Sequence, residues 1–68
     1  MKLLKYNTQV KFGEDNMLSG KITAISMRET HVLYEISYWK ADEFKTIWLS
    51  EKDMIIKNPQ RVMVGFES

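Results

Sequence analysis

Sixty-eight residues make one small domain with a thin core, for which a stability near ~3–5 kcal/mol is expected. Hydrophobic residues are 44% of the chain, too many for a disordered one, and the absence of cysteine removes disulfides and thiolate metal sites. Ten basic and nine acidic side chains leave a formal charge of +1, without the strong basic excess of a protein built mainly to hold a phosphate backbone.

The chain opens on MKLLK, with no long apolar run behind it, so a signal peptide is not expected. No later stretch approaches the ~18 apolar residues that span a bilayer, and the default location is the cytoplasm. Residues 1–8 read as a lead-in. Gln9–Phe12 alternates polar and apolar, as a strand with Val10 and Phe12 on one face. Residues 13–16 (GEDN) form a turn. Residues 17–27 read as a longer strand in which the step from Ile22 to Ile25 breaks strict alternation, so a bulge is expected near Thr23 and Ala24. Gly20 inside that strand points to a close backbone approach or to coil.

After the polar turn at residues 28–30, Val32, Tyr34, Ile36 and Tyr38 share one face of the next strand and should point to the core. His31, Leu33, Glu35, Ser37 and Trp39 share the other. A second polar turn, residues 40–43, leads into a strand over residues 44–49, with Ile47 and Leu49 expected inside and Phe44, Thr46 and Trp48 outside. Ser50 followed by acidic residues reads as one capped helical turn over residues 50–54, too short to stand alone. Residues 54–56 are a short closing strand or the apolar end of that turn. Asn58-Pro59 breaks the chain, and residues 61–66 (RVMVGF) are a last strand or a tail. Met17, Met27, Met54 and Met63 are expected to fill gaps in the core.

Five or six short strands without helical periodicity give an all-β domain, and closure into a small barrel would protect its edges. From Gly20 to Met54 the order is glycine, a turn, Y-x-I-x-Y-W, a polar turn, T-I-W-L, then S-E-K-D-M. This pattern resembles the small SH3-like barrels, a class with Tudor, chromo-like and KOW modules. More narrowly it resembles short uncharacterised proteins of phages, prophages and bacterial mobile elements. The resemblance implies an SH3-like barrel of five or six strands and no catalytic residues.

The residues themselves offer little for catalysis. His31 is the only histidine, it follows a turn on the outer face, and no serine has a nucleophile elbow. One histidine and no cysteine do not make a zinc site, and the three glycines form no phosphate-cradling loop. The acids sit in turns, where they serve solubility and capping. No enzyme activity, cofactor or metal is expected.

Aromatic residues carry the functional expectation. Leu33, Trp39, Phe44 and Trp48, with Lys40 and Lys45 beside them, make a candidate binding face on the hairpin over residues 31–49. Such a face suits a protein interface, where tryptophan is enriched, and the small net charge favours that reading. The alternative is a weak nucleic-acid binder that adds Lys21 and Arg28 to Lys40 and Lys45. A third reading is self-association of a monomer into a weak homodimer through an open strand edge or the aromatic face. Two arrangements would remove the face altogether: residues 61–66 folding over it, or Trp48 belonging to the core.

Overall fold

A computed structural model describes residues 2–63 of the chain. Seven strands run in order: β1 (Lys2–Leu4), β2 (Gln9–Phe12), β3 (Leu18–Arg28), β4 (His31–Lys40), β5 (Glu43–Leu49), β6 (Met54–Ile56) and β7 (Arg61–Met63). Two 3-10 turns, Glu14–Asn16 and Glu51–Asp53, are the only helical pieces among the described residues. The fold is therefore all-β. Five strands form one antiparallel sheet in the order β5-β4-β3-β2-β6, and β1 pairs with β7 in a second.

Turn chemistry sets the meander. Ala41 and Asp42 join β4 to β5 with φ of 51° and 64°, and Lys40 pairs with Glu43 across them. A two-residue loop with both φ positive matches the twist of the flanking strands. Before the first 3-10 turn, Gly13 holds a φ of 86°, where any Cβ would be strained.

The bulge expected near Thr23 and Ala24 is present, because the β3–β4 register shifts between Ile22 and Ala24. Its consequence is re-phasing. Ile22 pairs with Ile36 and Ile25 with Tyr34, so both isoleucines reach the core despite their odd spacing. The Thr23 hydroxyl anchors the bulge, donating to a Glu35 carboxylate oxygen at 2.9 Å and lying 2.8 Å from the Ser37 hydroxyl. At Gly20 β4 leaves no room for a side chain on β3. A Cβ there would lie 2.6 Å from both Ile36 Cγ2 and the Ser37 carbonyl oxygen.

The core consists of Leu4, Val10, Phe12, Ile22, Tyr34, Ile36 and Met54. Val32 and Tyr38 pack against it, Tyr38 edge-on to Phe12 at 5.0 Å between ring centroids. Each fully buried side chain of this size contributes ~1.5–3 kcal/mol.

Several expectations need correction. The N-terminal segment is not a mere lead-in: Lys2–Leu4 is a strand, and Leu3 and Leu4 are both buried. Three residues are too few for a periodic signal, and the partner strand lies near the other end of the chain. Barrel closure is not seen, since the two sheets stay separate and β5 and β6 end the larger one. Ile47 has the inward parity expected of it, opposite Ile36, yet remains 36% exposed, because β5 is an edge strand. Leu49 does pack on the core. Of the four methionines only Met54 is buried; Met17, Met27 and Met63 are exposed. Ser50 precedes the second 3-10 turn, but its hydroxyl donates to the Asp53 carboxylate rather than capping a backbone N–H. Residues 61–63 form β7 beside β1, and the remainder of the expected last strand, residues 64–66, lies outside the described residues.

Two contacts tie the small sheet to the large one. The Tyr34 hydroxyl accepts the Leu4 backbone N–H at 3.2 Å. Arg61 on β7 donates from both terminal nitrogens to the Glu51 carboxylate on the second 3-10 turn. The Arg61 hydrogen bonds hold the Glu51 carboxyl below its ordinary range, against a smaller opposing effect of burial.

Candidate functional site

Strand parity divides the large sheet into a core face and an outer face. On the outer face the ladder registers line residues up in rows across the strands. Phe44 on β5 pairs with Trp39 on β4, and continuing the β3–β4 register by one residue sets Ser19 beside Trp39. Ser19 pairs with Lys11 on β2, and Lys11 with Ile55 on β6. The next row runs Thr46, Ser37, Lys21 and Gln9, and ends at Lys57, whose N–H donates to the Gln9 carbonyl at 3.3 Å.

These rows have a graded chemistry. The first row runs from the aromatic rings of Phe44 and Trp39 through Ser19 to Lys11 on β2, and the second carries Thr46 and Ser37 before Lys21 on β3 and Lys57 beside β2. The small middle residues leave a groove of about 420 Å³ between the two walls. Trp39 and Phe44 form one wall, meeting edge-to-face at 5.5 Å and 65°, and they are 68% and 59% exposed. Lys11, Lys21 and Lys57 supply the charge, and no carboxylate lines the groove.

Charge is thus segregated by the fold. Glu14 and Asp15 sit in the first 3-10 turn, Glu29 in the β3–β4 turn, Asp42 and Glu43 at the hairpin tip, and Glu51 and Asp53 in the second 3-10 turn. Among the described residues Glu35 is the one carboxylate on the outer face, and it already accepts from Thr23.

The candidate binding face is only partly assembled as expected. Leu33, Trp39, Phe44 and Trp48 do share the outer parity, and all four are exposed. Trp48 is therefore not core; residues 61–63 of the segment that could have covered the face pair with β1, and residues 64–66 lie outside the described residues. Lys40 and Lys45 are different. Lys40 pairs with Glu43 and Lys45 with Tyr38, so both belong to the opposite parity, and Lys45 lies 3.5 Å from the Glu43 carboxylate. Lys21 is in the groove, whereas Arg28 and His31 pair at the far end of the sheet. Sequence reasoning missed Lys11 and Lys57. The alternation of β2 already places Gln9 and Lys11 opposite the core residues Val10 and Phe12. Nothing local places Lys57 there, because only the β2–β6 pairing does so.

Among the described residues no group of three or more His, Cys, Asp or Glu could hold a metal ion, and no helix is long and apolar enough to cross a membrane. Comparison with protein-family models, curated proteins and solved structures finds no match to this chain.

Proposed function

We propose that this chain is a non-enzymatic binding module whose partner is a nucleic acid, held across the outer face of the large sheet. Segregation of charge carries the proposal. A formal charge of +1 argues against a polyanionic partner only if the charge is evenly spread. Here Lys11, Lys21 and Lys57 converge on one groove while most carboxylates stay in turns. A polyanion responds to the local field, and solvent-exposed aromatic rings beside it supply stacking surface. On fold, an SH3-like relationship is supported by the meander β2–β5, the single 3-10 turn after it, and the return of β6 beside β2. The short phage and mobile-element proteins that the sequence resembles supply the setting we infer, in the cytoplasm.

A protein partner is the second reading. Leu33 and Trp48 favour it, since they expose apolar surface on the same face beyond the lysine rows. Salt separates the two. Neutralising about three phosphates of a single strand gives a log–log salt slope near about −2, or a roughly twentyfold loss of affinity between about 50 and about 200 mM salt. An amide chemical-shift titration with DNA and RNA oligomers tests this. Salt-sensitive shifts on Lys11, Lys21, Trp39 and Phe44 are expected. No shifts with any oligomer at low salt would overturn the nucleic-acid proposal and leave the protein reading in its place.

A further inference from the structure

We infer that the groove takes a single strand rather than a duplex, with bases toward Trp39 and Phe44 and phosphates toward Lys11 and Lys57. This rests on the proposed function and specifies its ligand. The two walls of the groove differ in kind. Trp39 lies on β4 and Lys11 on β2, two strand spacings apart, or about 10 Å between backbones. A ligand bridging them must be uncharged and planar on one side and anionic on the other. A nucleotide has that polarity at right angles to its backbone, so a strand laid along the groove would offer every base to one wall and every phosphate to the other.

Only an unpaired base fits this arrangement. Stacking on an aromatic side chain requires an open π-face, which pairing and stacking within a duplex cover. The Trp39–Phe44 contact is edge-to-face, so neither ring masks the other completely, and both keep most of their surface exposed. The groove floor adds the hydroxyl residue Ser19, whereas the buried Ser37 hydroxyl is already paired with Thr23. Lys11 and Lys57 stand in successive rows, about 7 Å apart along the strand direction. They meet successive positions of one backbone. Stacking and charge, the two contacts the walls supply, carry no base identity, so the preference is for single strands of any sequence. Charge complementarity and stacking apply equally to DNA and RNA, and both are included in the test.

The test measures tryptophan fluorescence on titration of the full chain with an oligothymidylate and an oligouridylate of about ten nucleotides. A duplex of the same length and an oligomer of base-free sugar phosphate are the controls. The single strands are expected to quench fluorescence and to bind at least tenfold tighter than either control. Trp39→Ala and Phe44→Ala alter exposed residues and should each weaken single strands by about 5- to 150-fold, the range for loss of one stacked base. Lys11→Gln with Lys57→Gln should flatten the salt slope by roughly 1.5. A duplex that binds as tightly as the single strands would overturn this inference while leaving nucleic-acid binding intact. So would a base-free oligomer that binds equally well. Absence of binding by every oligomer would overturn the proposed function itself.

Discussion

Replacing Tyr34 with phenylalanine removes one oxygen atom, and the structure says what that atom does. Tyr34 is 2% exposed, and the Leu4 residue whose N–H it accepts is fully buried. The Leu4 N–H has no alternative. Its neighbour Lys5 donates to the Gln60 carbonyl at 3.0 Å, and successive backbone groups of a strand point to opposite sides. The Leu4 donor therefore points away from β7 and into the core. A buried donor left unpaired costs ~1–3 kcal/mol, with no compensating gain in packing from a ring of the same shape. Against an expected total near ~3–5 kcal/mol this is about a fifth of the stability or more. For a domain of this size each kcal/mol moves the melting temperature by about 4–8 °C, so a loss of ~1–3 kcal/mol in Tyr34→Phe should lower it by about 4 °C to about 24 °C. Thermal unfolding followed by circular dichroism measures the shift, and hydrogen exchange at the Leu4 amide reports whether β1 has loosened. Tyr6→Phe, at a residue 62% exposed, is the control and should change nothing. An unchanged melting temperature together with full protection at Leu4 would refute the assignment of this hydrogen bond as a link between the sheets.

Gly20→Ala should destabilise by ~1–3 kcal/mol through overpacking, even though alanine restricts the unfolded chain. The new Cβ meets a backbone oxygen at 2.6 Å, which has little room to move. A lower urea midpoint is the expected result, and an unchanged or higher one would mean that β3 and β4 are not this close. Glu51→Gln should remove a pH dependence. The Glu51 carboxyl in the folded chain titrates below its ordinary 4.5 because Arg61 is hydrogen-bonded to it. The unfolded chain therefore takes up the proton first as pH falls. Stability from this pair is fully present above 4.5 and is lost as pH falls through the lower folded value. Urea melts of wild type and variant should differ at neutral pH and converge in acid; a gap that widens in acid would contradict the pairing.

Local pattern alone determined much of this protein. Alternation in Gln9–Phe12 and His31–Lys40 marked the core residues Val10, Phe12, Tyr34 and Ile36, because side chains of a strand alternate whatever it pairs with. The broken spacing from Ile22 to Ile25 announced a bulge, since only an extra residue returns both to one face. The outward parity of Trp39, Phe44 and Trp48 was legible for the same reason. What stayed hidden depends on pairing between distant segments. β1 carries no period of its own and exists through β7, some sixty residues away in the chain. Lys40 and Lys45 are neighbours of the aromatic residues in sequence, and one step along a strand sends each to the opposite face. Lys11 and Lys57 are remote in sequence, and the β2–β6 ladder brings them to the same groove. Composition reports the sum of the charges; only the tertiary pairing of strands decides where they gather.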